Sequence, residues 1–184
     1  MDGWVNTDLN PLKKSIQKLD VTKPFPYFNN YFDYIFSEHL IEHLSYSNGC
    51  FMLCECNRVL KNNGKIRIST PNLSVLLSLY NKDLNDLQKR YINWIKKTFL
   101  SKVMSEHLSV HVINNAFYNW DHKFIYDDSL LIETLEKAKF VNVVKCNVGE
   151  SSDPNLIDLE KHGKLNHEEE LNKFETIVYE ARKL

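Results

Sequence analysis

The sequence predicts an α/β fold with a largely parallel sheet. Phe32-Asp33-Tyr34-Ile35-Phe36 is a compact apolar run of the kind buried on both faces of a parallel sheet. A helical stripe and an Asn62-Asn63-Gly64 turn separate it from a second apolar strand, Lys65-Ile66-Arg67-Ile68-Ser69. Strands separated by helices suggest crossover connections, which parallel pairing requires.

The elements follow in order. Trp4-Val5-Asn6-Thr7 is β-prone and ends in the turn signal Asp8-Leu9-Asn10-Pro11. Lys18-Leu19-Asp20-Val21 is a weaker strand before Pro24-Phe25-Pro26. After the strand at 32–36, Ser45 suits the N-cap of a helix reaching Lys61. Its apolar stripe is Phe51, Leu53, Cys54, Val59 and Leu60. Asn62-Asn63-Gly64 stops that helix, and Pro71 closes the next strand. Residues 72–80 and 84–104 carry apolar side chains at helical spacing, and 114–126 is crowded with aromatics. Asp127 caps a helix over 129–139, and 141–144 is a strand. The polar stretch 149–170 reads as a loop with at most short helices, and 174–179 alternates as a final strand.

A length of 184 residues suits one domain, and 43% hydrophobic residues supply a sizeable core. The 23 basic and 24 acidic residues nearly cancel, which argues against a broad nucleic-acid or anionic-membrane footprint. Lys13-Lys14 and Lys96-Lys97 are clusters of the size found on solvated helix faces. No apolar run reaches membrane-span length, and Met1-Asp2-Gly3-Trp4 has no leader character, so a cytoplasmic setting is expected. Cys50, Cys54 and Cys56 lack the paired C-x-x-C spacing of common zinc sites and read, with Cys146, as reduced, buried thiols.

Several segments resemble a known family. The run 32–44, Phe-Asp-Tyr-Ile-Phe-Ser-Glu-His-Leu-Ile-Glu-His-Leu, is similar to the fourth strand and following turn of class I (Rossmann-like) S-adenosylmethionine-dependent methyltransferases. Arg58-Val59-Leu60-Lys61-Asn62-Asn63-Gly64 is similar to the family's R-V-L-K-P-G-G turn, with two asparagines in place of the proline and first glycine. Gly3-Trp4-Val5-Asn6-Thr7-Asp8, the aromatic run 116–127 and Gly149-Glu150-Ser151-Ser152-Asp153-Pro154 resemble segments of a predicted-methyltransferase subgroup. The resemblance implies an antiparallel last strand, S-adenosylmethionine as cofactor, and one domain over 1–184 in which 72–126 is a helical, aromatic-rich insertion or lid. The family's first, central strand and its glycine-rich L-x-x-G-C-G turn have no counterpart here. The expected sheet is therefore interrupted at its centre: the sequence is a fragment, the second strand pairs directly with the fourth, or another chain, as in a possible homodimer, fills the gap.

The resemblance also distributes roles. Asp8 is placed at the ribose hydroxyls, where an acidic residue after a strand accepts hydrogen bonds; its plainer alternative is an Asx turn before Asn10-Pro11. Asp20 is placed near the adenine, or is a loop carboxylate. Ser37 and Glu38, at the carboxyl end of a strand, complete the cofactor contacts. His39 is a candidate to take a proton or orient the acceptor, or it stabilises the next helix with Glu42. His122 is a second candidate for proton handling. Tyr118, Trp120 and Lys123 are candidates to floor an acceptor pocket, or they pack in a core or interface. The expected reaction is methyl transfer to an oxygen or nitrogen of an unidentified small-molecule or glycan-like acceptor.

Two other readings compete. A methyltransferase-like chain without the glycine turn serves as an inactive binding or scaffolding subunit. Alternatively, His39-Leu40-Ile41-Glu42-His43 spells the H-x-x-E-H zinc motif, with Glu106 or His107 as third ligand. That motif needs both histidines on one helical face. Without that context, no metal ligands are expected.

Overall fold

The computed structural model describes residues 3–165 and 168–184. Met1 and Asp2, which head the N-terminal stretch read above, lie outside them, as do Asn166 and His167 of the polar segment. Strands β1 (Thr7–Asp8) and β2 (Gln17–Lys18) form a separate parallel pair. The main sheet contains β3 (Phe32–Glu38), β4 (Leu60–Pro71), β5 (Phe140–Cys146) and β6 (Thr176–Lys183), in the order β3-β4-β6-β5. β3 and β4 are parallel, while β6 runs antiparallel to both β4 and β5. Three strands therefore share a direction, and the last strand opposes them. Among the described residues, no strand pairs with the outer edge of β3.

Helix α1 (Tyr46–Val59) makes the crossover from β3 to β4. Ser45 caps it by accepting from the Asn48 N–H at 3.3 Å. Gly49, Met52, Leu53, Cys56 and Val59 form its buried stripe. The stripe lies to one side of the expected one: Cys54 is exposed, and Cys50 and Phe51 are only half-buried. Cys56 alone of the four free thiols is fully buried, and burial pushes its pKa up to about 12. The helix ends at Val59, and Asn62-Asn63-Gly64 lies within an irregular start of β4 rather than in a separate turn. Asn63 adopts φ of +66°, which asparagine tolerates. A Cβ on Gly64 would lie 2.9 Å from the Lys61 carbonyl oxygen and 3.0 Å from that of Asp33, so the strand junction needs glycine.

Helices α2 (Leu73–Ser78), α3 (Asp86–Phe99) and α4 (Leu108–Tyr118) follow the sheet's first half. An Asn85–Gln88 capping box starts α3. The segment 108–118, expected only as an aromatic cluster at its C-terminal part, is helical. These helices share an apolar cluster that includes Leu76, Leu79, Tyr91, Ile95 and Val112, distinct from the cluster around the sheet. Asp127 caps α5 (Asp128–Lys137) through the Leu130 N–H at 2.8 Å, as expected. The polar stretch holds short helix α6 (His162–Leu165) and the start of α7 (Glu169–Glu175). Helix α7 takes Phe174 and Glu175, so β6 begins at Thr176 instead of 174. Phe174 leaves the strand because its ring packs on Tyr91 in the helical cluster. No helix among the described residues is long and apolar enough to cross a membrane.

Arg67 is fully buried in β4. Its guanidinium donates to Glu160 at 2.6 and 3.1 Å, to Glu180 at 2.6 Å, and to the Glu150 and Asn147 carbonyls at 2.9 and 3.1 Å. These bonds fold residues 147–160 back over one end of the sheet. Lys65, two positions earlier, pairs with Asp153 at 2.9 Å in the same loop.

The Lys65 ammonium, assisted by Asn155, holds the Asp153 carboxyl down at about 2. A depressed carboxyl stabilises the fold above its unfolded pKa of about 4 and loses that contribution as pH falls through its folded value. Urea unfolding at stepped pH should show wild-type stability declining between about pH 4 and 2, with a shallower decline in Lys65→Met. Identical slopes would deny the pair this role.

Candidate active site at the carboxyl ends of the parallel strands

β3 and β4 run parallel, so their carboxyl ends meet at one edge of the sheet. His39 follows β3 with φ of +45°, and its N–H donates to the Ser69 carbonyl at 3.0 Å. This turn sends the chain into a single 3-10 turn, Ile41–His43, rather than an α-helix. His39 and His43 therefore do not take the shared helical face that the H-x-x-E-H reading requires.

Glu42 lies at the centre of the cluster and has no exposed surface. Thr70, from the end of β4, donates to its Oε2 at 2.9 Å. His39 Nδ1 is 3.3 Å from Oε1, an ion-pair contact whose angles fall short of a hydrogen bond. The Lys123 and Phe124 N–H groups both donate to the Glu42 carbonyl oxygen, at 2.7 and 3.1 Å. His39 Nε2 is 3.1 Å from Thr176 Oγ1, and the His39 ring stacks on His162 with centroids 4.4 Å apart. Behind this layer, the Tyr91 hydroxyl donates to buried Glu175.

The charges order themselves by contact. Burial opposes the His39 cation, but the contact and charge of Glu42, with Glu175 and Glu38, raise its pKa above the ordinary value. Burial likewise opposes the Glu42 carboxylate, yet His39 and Thr70 lower its pKa. Glu175, buried without a cation in contact, is raised by burial. Burial lowers His122, so its ring is neutral near pH 7. His122 Nδ1 lies 2.7 Å from the Ala116 carbonyl, which fixes that nitrogen as the N–H donor and leaves Nε2 with its lone pair. The His43 and His122 rings meet edge to face at 4.9 Å.

The other residues singled out from sequence divide into groups. Asp8 is exposed and forms the Asx turn, accepting from Asn10 N–H at 2.7 Å. No described residue hydrogen-bonds its Oδ2. Asp20 forms a second such turn to Thr22 and pairs with Lys23, and the Thr22 hydroxyl and N–H lower its pKa. The Ser37 hydroxyl is buried without a partner among the described residues. Glu38 accepts from the Lys161 and His162 N–H groups at 2.9–3.0 Å, so both oxygens are committed to the start of α6. Trp120 packs on His122 at 5.7 Å and on Phe99 at 5.0 Å. Tyr118 is 77% exposed, Lys123 is exposed, and neither contacts the Glu42 cluster through its side chain. Glu106 and His107, offered as third zinc ligands, are not grouped with His39 and His43. Sequence reasoning missed Thr70, Thr176 and His162, which reach His39 and Glu42 only through tertiary structure.

A groove of about 420 Å³ runs along the unpaired edge of β3. Trp4, Thr7, Leu19, Tyr27, Tyr34 and Phe36 are among its lining residues. It separates the β1–β2 pair from the main sheet and is where the expected central strand has no counterpart.

Residues 4–68, which span β1 through most of β4, match the family model described as a methyltransferase domain. Among solved structures, an S-adenosylmethionine-dependent methyltransferase from Archaeoglobus fulgidus shares the fold at TM-score 0.56 and 19% identity, over 96% of this chain and 74% of its own. The match to the methyltransferase model therefore lies in the first third of the chain, and the chain as a whole shares the fold of such an enzyme. A possible exported protein from Bordetella parapertussis shares the fold at TM-score 0.50 and 12% identity, over 91% of this chain and 43% of its own. A methyltransferase from Thermotoga maritima, described as a possible histamine N-methyltransferase, aligns at TM-score 0.49 and 17% identity, over 92% and 64%. The chain thus spans less than two thirds of the last two proteins. No curated protein matches it.

Glu38→Ala leaves two N–H groups at the start of α6 without their acceptor. It should cost about 1–2 kcal/mol in urea unfolding, as loss of a cap does. Hydrogen exchange at the Lys161 and His162 amides should accelerate together; unchanged protection would contradict the assignment.

Proposed function

We propose that this domain binds S-adenosylmethionine in the groove beside β3 and methylates an oxygen or nitrogen of a small-molecule acceptor. The observation that carries the reading is the groove's position along a parallel strand whose carboxyl end leads into the His39–Glu42 cluster. Ligands of open α/β sheets bind outside the carboxyl ends of strands.

The residues present fit part of the cofactor. Asp8 keeps one carboxylate oxygen for ribose hydroxyls, and the buried Ser37 hydroxyl lacks a partner that a ligand would supply. Aromatic walls from Trp4, Tyr27 and Tyr34 suit the adenine. Glu38 is occupied by α6, so a direct cofactor contact is not assigned to it. Asp20, held in its own turn, acts through the shape of the loop.

S-adenosylmethionine supplies an activated methyl on a sulfonium, so the chain's task is positioning and proton handling. Glu42 favours the protonated form of His39, and Thr176 lies against its other nitrogen, so His39 has little free lone pair to offer a substrate proton. His122 is neutral near pH 7 and keeps Nε2 available, so it is the better proton acceptor. Trp120 holds that ring in place. The helical layer over 73–118 acts as the cover that excludes water, with Tyr118 and Lys123 at its exposed margin.

Equilibrium dialysis with labelled S-adenosylmethionine tests the reading. Wild type should bind at micromolar concentrations, and Asp8→Ala should bind about ten- to a hundredfold more weakly, the loss of roughly 1.5–3 kcal/mol for a charged hydrogen bond. Equal binding by both proteins would remove Asp8 from the site, and no binding at millimolar cofactor would favour the scaffolding alternative.

A further inference from the structure

The geometry points to a transition-metal site, of the kind that takes Zn²⁺, formed by Glu42, His43 and His122. One donor atom from each lies within 4.8 Å of the others. The three come from the 3-10 turn after β3 and from the segment after α4, so the grouping exists only in the folded chain. A mixed imidazole and carboxylate set suits zinc, which binds such ligands at about 2.0–2.2 Å. Binding one ion would draw the three donor atoms closer together.

Two further observations point to a ligand. Glu42 is wholly buried, and its Oε1 makes no hydrogen bond of proper geometry. Its nearest partner is His39 Nδ1 at 3.3 Å, an off-angle contact that leaves this buried oxygen without a well-aligned donor or cation. His122 directs Nδ1 to the Ala116 carbonyl at 2.7 Å. Metal-ligating histidines characteristically donate their second N–H to a carbonyl or carboxylate, which orients the other nitrogen. This set differs from the linear H-x-x-E-H reading, because His39 is engaged by Thr176 and His162 and is replaced by His122. The proposal does not rest on methyl transfer. The lone pair of His122 serves a proton or a metal ion, but not both at once.

Titration of metal-free protein with Co²⁺, followed by visible absorption and by calorimetry with Zn²⁺, tests the site without any cofactor. About one equivalent should bind, giving the intense visible bands of low-coordinate Co²⁺. His43→Ala and His122→Ala should each weaken binding at least about tenfold. His39→Asn, which keeps the left-handed preference at that position, should still bind, and His107→Ala should match wild type. Far-UV circular dichroism checks folding, and the two ligand variants are read independently, so failure of one to fold leaves the other. Absence of binding at tens of micromolar metal would overturn the site. So would binding that survives both ligand substitutions, or binding lost in His39→Asn but kept in His122→Ala.

Discussion

The fold's polar organisation depends on burying the Arg67 guanidinium. A fully buried cation costs several kcal/mol unless its donors are matched. Here two carboxylates and two carbonyls match them, and three of those partners lie in the 147–160 loop. Burial opposes the charge, but Glu160 and Glu180 outweigh it and raise the Arg67 pKa further. The loop thus pinned delivers Lys161 and His162 to Glu38, and places the His162 ring on His39. A residue in the middle of β4 therefore sets the outer wall of the site at the strand's end.

A second constraint is the division of labour between the histidines. His39 and His122 both feel the Glu42 charge, yet their pKa values move in opposite directions. The difference arises from contact. His39 touches the carboxylate, whereas desolvation dominates at His122 and its hydrogen bond goes to a neutral carbonyl. Contact with the carboxylate thus favours the protonated form of His39, while desolvation favours a neutral His122 whose Nε2 is open to a proton or a ligand.

Local chemistry was legible in the sequence, and long-range chemistry was not. Ser45 and Asp127 cap the helices their positions announced, and Asp8 makes the turn that Asn10-Pro11 suggested, because each answers to neighbours within three residues. The strand-helix-strand core around β3 and β4 was readable for the same reason. Arg67 was not: in an alternating Ile-Arg-Ile strand an arginine reads as the solvent face, and only the loop 80–93 positions further on buries it. Glu42 reads as a surface acid at a helix start, since Thr70 and His122 reach it only in three dimensions. The H-x-x-E-H spelling brought the right neighbourhood to notice but implied an α-helical geometry that the left-handed His39 denies.

If the open edge of β3 is the cofactor groove, the Glu42 cluster stands beside the bound cofactor. Photo-cross-linking with methyl-labelled S-adenosylmethionine, followed by peptide mapping, addresses that placement directly. Label on peptides carrying residues 3–8, 25–27 or 32–39 is the predicted result. Label confined to the far side of the sheet, around residues 142–152, would contradict it.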